Sequence, residues 1–138
     1  MDDKRFNRDQ FNRLKYKLRQ LEKDILEEAI ASLDIAVNEG VNIAKENTPV
    51  DTGFMRRSWS VSTTKRLKGG CQKIIMNSAE YSLYVDQGHR VVDRNGKVHG
   101  WKKGEYISDK TIKYVNTRLL AEFKARLERL EKRYNDID

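Results

Sequence analysis

The sequence is poor in the residues that anchor covalent structure or chemistry. Cys71 is its single cysteine, so no disulfide can close within the chain, and no ligand cluster of zinc spacing accompanies it. That usage fits a reducing compartment. There are two histidines, His89 and His99, one proline, Pro49, and only 9% aromatic residues. No segment approaches the roughly 18 apolar residues of a membrane span. The start, "MDDKRFNRDQ", has no apolar core of signal-peptide length, so a protein kept soluble in a cell, or in a particle assembled there, is expected. No phosphate-cradling glycine loop or serine elbow is present either.

What is there is charge. Charged residues make up 36% of the 138 and apolar ones 38%. That length predicts a single domain, residues 1–138. Apolar surface is scarce, so burial needs long amphipathic helices or neighbouring subunits.

Phe11, Leu14, Leu18, Leu21, Ile25, Ala29, Leu33, Ala36 or Val37, Val41 and Ala44 recur at steps of three and four, which predicts one long helix over about residues 8–46, bent near Gly40. Residues 1–10 are expected to form a disordered arm. The helix is basic from Lys4 to Lys23 and acidic from Asp24 to Glu46, so its second half calls for an opposite surface nearby. It must stop before Pro49, because proline disfavours helix at the preceding residue and lacks an amide hydrogen.

Asp51, Thr52 and Gly53 then read as a chain reversal: the first two accept backbone hydrogen bonds and the glycine permits positive φ. Trp59, Val61 and Thr63 alternate with serines at strand period, "KRLKGG" supplies a turn and "CQKIIMN" a return strand. This predicts a first hairpin of strands 57–66 and 71–77. In "SAEYSLYVDQGHR", Tyr81, Tyr84 and Val85 have helical spacing and Gly88 ends a short helix. A second hairpin turns at Asn95-Gly96, both expected at positive φ, and Gly100 and Gly104 loosen the segment after it. Ser108 caps a final helix with stripe Ile112, Val115, Leu119, Phe123, Leu127, Leu130 and Tyr134. The expected fold is α+β: a long N-terminal helix, a small antiparallel sheet of two hairpins over 48–106 with a short intervening helix, and a long C-terminal helix over 107–138.

The net charge of +7 is unevenly spread. Residues 1–47 hold nine Lys and Arg against ten Asp and Glu, residues 48–106 eleven against five, and residues 107–138 eight against six. The middle segment therefore carries the excess. Arg56, Arg57, Lys65, Arg66 and Lys68 gather around the first hairpin, and Arg90, Arg94, Lys97, Lys102 and Lys103 around the second. Such point charges attract phosphate or an acidic protein face without specifying sequence. With Trp59, the residues Arg56, Arg57, Lys65, Arg66, Lys68 and Arg90 form the candidate interface.

Enzyme chemistry finds no complete constellation. His89 and His99, with Asp93 between them, would make an acid/base or metal pair, but no third ligand motif joins them. Cys71 begins a strand with no histidine near it in sequence and reads as a small buried hydrophobe. Asp51-Thr52-Gly53 superficially resembles the aspartic-protease signature, whose catalysis needs two such loops or a dimer with a matching fold. The preceding helix argues for a structural turn. No catalytic, metal or cofactor-binding residue is assigned.

The stretches "NTPVDTGFMRRSWSV", "AEYSLYVDQGHR" and "GWKKGEY" nevertheless resemble, in order and spacing, the tail-component family of long-tailed bacteriophages and prophages. These are head-tail joining, tail-completion or neck proteins, with a "P-x-D-T-G-x-L-R-x-S" turn, a "Y-x-x-Y-V-E-x-G" segment and a "G-x-x-F-[ML]" approach to the last helix. The resemblance spans about residues 30–130. Matching positions are Pro49, Asp51, Thr52, Gly53, Arg56, Ser58, Tyr81, Tyr84, Val85, Gly88 and Gly100. Met55 replaces the usual leucine, Asp86 the glutamate, and "GEYI" the phenylalanine-methionine pair.

The resemblance implies a non-enzymatic virion protein, in the host cytoplasm during assembly, completing the tail or joining it to the head. It implies a homo-oligomeric ring, a hexamer in the virion, touching connector or adaptor and tail-tube or tail-terminator proteins, with no cofactor and no membrane. A ring suits a small chain, because a head-to-tail contact whose rotation closes makes an annulus from one subunit. The alternative is a sequence-independent nucleic-acid-binding protein, for which the basic middle segment would contact DNA.

Overall fold

The computed structural model describes residues 3–136. Helix α1, Asp3–Asn47, is followed by a one-turn helix α2, Phe54–Arg57. Strands β1, Trp59–Val61, β2, Lys65–Leu67, β3, Gly70–Gln72, and β4, Ile75–Asn77, come next. Helix α3, Ser82–Gln87, leads into β5, Gly88–Val92, and β6, Val98–Lys103, and the chain closes with α4, Ile107–Asn135. This is the expected α+β order. Of the expected N-terminal arm, residues 3–10 are helical and residues 1 and 2 lie outside the described residues.

α1 ends where its last carbonyls acquire side-chain donors: the Thr48 hydroxyl donates to the Ala44 carbonyl at 2.6 Å and the Asn47 amide to Ile43 at 2.9 Å. Pro49 then blocks another turn. The helix is continuous through Gly40, which marks a close approach: a Cβ there would overlap the Val115 Cγ2 of α4. α4 runs back along α1, and the acidic half of α1 finds the opposite surface its charge calls for. Glu39 accepts from Arg118 Nε and the Tyr114 hydroxyl, both at 2.9 Å. Glu28 pairs with Arg126 at 3.1 Å, and Asp24 accepts from the Tyr134 hydroxyl at 2.5 Å. On the other side Glu27 pairs with Arg66 at 2.7 Å, and Asp34 takes Lys73 at 3.0 Å and the Thr64 hydroxyl.

The first hairpin is two ladders in place of one. β1 pairs with β4, Val61 opposite Ile75, and β2 with β3, Lys65 opposite Gln72. Three residues, 62–64, thus face two, 73–74, and the Ser62 hydroxyl takes the Ile74 N–H at 2.8 Å within this bulge. The second hairpin, β5 with β6, turns differently from the expectation. Only Gly96 has positive φ, at 80°, and Asn95 does not. The Asp93 carboxylate substitutes for that geometry by accepting from the Asn95 and Lys97 N–H groups, both at 2.9 Å.

The core is thin. Ala44, Met55, Ala79 and Ile107 are its centre, with Trp59 and Val85 packed against them. Five elements, α1, α2, β1, α3 and α4, and the loop that carries Ala79 therefore meet at the C-terminal end of α1. On α4 the buried row runs through Ile107, Thr111 and Leu130, while Ile112, expected inside, is 58% exposed. The rest of the expected stripe, Val115, Leu119, Phe123, Leu127, Leu130 and Tyr134, is half-buried or buried, so only its first position shifts, from Ile112 to Thr111.

Candidate functional surface

The turn after α1 brings the separated motifs together. Pro49 to Gly53 passes over the end of α1, and Gly53 adopts φ 81°, a left-handed conformation that favours glycine. Thr52, and not Asp51, holds the turn: its hydroxyl accepts from Phe54 N–H at 3.3 Å, and its carbonyl from Arg57 Nη1 at 3.3 Å. Asp51 is exposed and accepts no hydrogen bond from the described residues. The Ser58 hydroxyl closes α2 on the Phe54 carbonyl at 2.7 Å. The expected strand thus starts two residues late, because the chain makes a helical turn before extending.

Trp59 serves the fold. Its Nε1–H donates to the Thr48 hydroxyl at 2.8 Å, continuing the chain of bonds that ends α1.

Tyr81, Tyr84 and Val85 of the second motif stand beside this turn. Val85 faces the core, but Tyr81 is 44% and Tyr84 59% exposed. The Phe54 and Tyr81 rings lie 6.4 Å apart, and Tyr84 meets the His89 ring edge-on at 6.1 Å. A groove of about 320 Å³ runs between the Pro49–Met55 segment and Tyr81, Val85 and Lys102. A second groove, about 470 Å³, lies between Tyr81, Tyr84, His89 and Arg90. Both are open concavities. Their walls are aromatic rings flanked by cations, a composition typical of protein contact surfaces.

Gly88 and Gly104 fix this surface by close approach. A Cβ on Gly88, at φ 88°, would lie 2.6 Å from the Lys102 carbonyl oxygen, and one on Gly104 2.6 Å from Gly88 N. Gly104 therefore pins the segment it was expected to loosen. Gly100, at φ 132°, lies farther along the hairpin opposite Val91, with open space around it.

Asp86 completes the arrangement, and sequence reasoning treated it only as a departure from a motif. It is buried, and its carboxylate caps α4 from outside: Oδ1 accepts the Ser108 N–H at 2.9 Å and Oδ2 the Gln87 amide at 2.8 Å. Ser108, expected to be the cap, is itself capped. Tyr106 bends into the helix at φ 53° and donates its N–H to the Asp86 carbonyl at 2.9 Å. Burial pushes the Asp86 carboxyl upward. Donation from Ser108, Gln87 and the Ile107 N–H outweighs that and holds it below the ordinary carboxylate value. The available signal was an acid two residues before a helix-ending glycine.

The candidate basic interface is not one patch. Arg66 is bound to Glu27, whereas Arg56 and Arg57 project from α2 at the far end of α1, about 25 Å away by helical rise. Lys65 and Lys68 stay with Arg66, and Arg90 stays with Tyr84 and His89. The histidines are separated too: His89 lies opposite Lys102, while His99 pairs with Asp93 at 2.7 Å. Among the described residues no three His, Cys, Asp or Glu side chains gather as a metal site. No helix among them is long and apolar enough to cross a membrane.

A model of the family described as "Bacteriophage HK97-gp10, putative tail-component" matches residues 12–88, from the first third of α1 through the turn, the first hairpin and α3. The chain belongs to this family. No curated protein and no solved structure matches the chain. As an HK97-gp10-like protein it is a structural component of a phage tail, placed in the virion among other phage structural proteins. The match ends at Gly88, so it contains the turn and Tyr81, Tyr84 and Val85, but neither Gly100 nor α4.

Proposed function

We propose that this tail component acts as one of several identical subunits that form a ring, a hexamer in the virion, to complete the tail or join it to the head. The observation that carries this reading is that Phe54 meets Tyr81, and Tyr84 lines a groove with Tyr81, outside the core, where Val50 is also 60% exposed. Large apolar side chains gathered at a surface, above a thin core, are normally covered by a partner. The Pro49–Gly53 turn aims that surface and has no chemistry of its own. The contacts are with a neighbouring copy on one side and connector, adaptor, tail-tube or tail-terminator proteins on the other. Host cytoplasm is the site of assembly. The whole chain, residues 1–138, works as a single domain in this scheme.

Light-scattering mass of the purified chain, alone and mixed with connector or tail-tube subunits, tests the reading. A multiple of the 16.2 kDa chain mass alone, or a joint complex heavier than either component in the mixture, lost in a folded Phe54→Ser/Tyr81→Ser variant, is expected. A wild-type chain that stays at monomer mass in every mixture overturns it.

One observation favours nucleic-acid contact as a second reading. Arg56, Lys65, Lys68, Arg94, Lys97, Lys102 and Lys103 have no carboxylate partner among the described residues. A DNA-contacting chain binds duplex DNA with an affinity that falls steeply as salt rises. Salt-independent or absent binding leaves these cations to acidic protein surfaces.

A further inference from the structure

The first twenty-one described residues of α1, 3–23, overhang the helix that covers the rest. α4 bonds α1 at Asp24, whose carboxylate accepts from the Tyr134 hydroxyl one residue before α4 ends. At 1.5 Å per residue the overhang is about 30 Å long. Its apolar row, Phe11, Leu14, Leu18, Leu21 and Ile25, has alternating steps of three and four, the a/d spacing of a coiled-coil seam. Phe11, Leu14 and Leu18 are 56%, 52% and 54% exposed.

The same row continues through Glu28, Ser32, Ala36 and Glu39. There it is covered: Glu28 and Glu39 are bonded to α4, and Ser32 and Ala36 are fully buried. The overhang is thus the uncovered continuation of an interface the chain already uses. Beside its end, a groove of about 950 Å³ opens between Tyr16, Lys17, Gln20, Asp24 and Tyr134.

Charge selects the occupant. Residues 3–23 hold eight Lys and Arg against three Asp and Glu, and the positions flanking Phe11, Leu14 and Leu18 are Arg8, Gln10, Lys15 and Lys17, with Glu22 and Asp24 only at the end nearest α4. Lys15 lies over the Phe11 ring at 4.9 Å. An antiparallel copy of the same arm would set Lys15 against Lys15 and Lys17 against Lys17 at the middle of the seam. DNA would use the cations and leave three large apolar side chains in water. We propose that this overhang is a docking helix for an acidic amphipathic helix of about three heptads, supplied by a partner protein and laid along Phe11, Leu14, Leu18 and Leu21. The tail-component reading enters only as the source of such a partner. Peptide binding reads the arm and light-scattering mass reads the motif surface, so either reading fails without the other.

The full chain is titrated, by fluorescence anisotropy, with a labelled three-heptad peptide carrying Leu at a and d and Glu at e and g, and with its counterpart carrying Lys at e and g. The Glu peptide is expected to bind at least about tenfold more tightly than the Lys peptide. Leu14→Ser/Leu18→Ser is expected to weaken it by at least about tenfold. That variant should keep the wild-type circular dichroism and unfolding midpoint, since both leucines are exposed in the monomer. Equal affinity for the two peptides, or binding unchanged in the leucine variant, overturns the proposal. So does arm-dependent self-association abolished by that variant, which would make a second copy the occupant. Duplex DNA that displaces the Glu peptide and binds the leucine variant as well as wild type also overturns it.

Discussion

Replacing Asp86 by alanine tests whether one buried carboxylate really ties α3, the glycine contact and α4 together. The substitution removes an acceptor bonded to the Ser108 and Ile107 N–H groups at the start of α4 and to the Gln87 amide. Loss of an N-cap costs about 0.5–2 kcal/mol, and a hydrogen bond to a charged group is worth about 1.5–3 kcal/mol. Ile107 is fully buried, so its N–H cannot turn to water. Burying the charge offsets part of this, which leaves a loss of about 3 kcal/mol for Asp86→Ala and about half that for Asp86→Asn. In urea unfolding followed by circular dichroism, with a slope of about 2 kcal/mol/M, the alanine midpoint should fall by roughly 1.5 M. The pH dependence has a definite sign. The folded-state carboxyl lies below its ordinary value, so its contribution is fully present above the unfolded value of about 3.9 and fades as pH falls through 4 toward the folded one. Hydrogen exchange should accelerate most at the first turn of α4. A variant as stable as wild type at pH 7, or a deficit unchanged between pH 7 and 3, refutes the reasoning.

Gly104→Ala should cost about 3 kcal/mol or more, because its Cβ would press on the backbone of Gln87 and Gly88; Gly100→Ala, strained by φ alone in open space, should cost about 1 kcal/mol in the same assay. Trp59→Phe should lose about 1 kcal/mol, the value of the indole bond to Thr48, and leave the fold unchanged by circular dichroism. Arg56→Ser/Arg57→Ser/Lys65→Ser/Lys68→Ser should leave the unfolding midpoint within about 0.5 kcal/mol of wild type but abolish joining of heads and tails, scored as infectious particles. Unimpaired particle yield would remove those cations from assembly.

Element types and their order are legible in the residues themselves, because they rest on local rules. Hydrophobic steps of three and four mark α1 and α4, Pro49 ends the first, Gly53 and Gly88 supply positive φ, and the uneven charge of α1 announces partners for its acidic half. The first two motif stretches, whose matching positions lie within residues 12–88, likewise carry the family. Contacts between distant segments obey no local rule. The first turn of α4 is capped by Asp86, twenty-two residues upstream of Ser108, and Thr111 in place of Ile112 turns inward there. The bulge at Ser62 depends on where Asp34 pulls Thr64 and Lys73, and Gly104 looks free until α3 is laid against it. Charge clustered along the chain is likewise no guide to charge clustered in space, since one end of the first hairpin sits at Glu27 and the other near Ala44. Periodicity states which side of a helix is apolar, but only packing decides how much of that side is covered; at Phe11, Leu14 and Leu18 of α1 it leaves the row open.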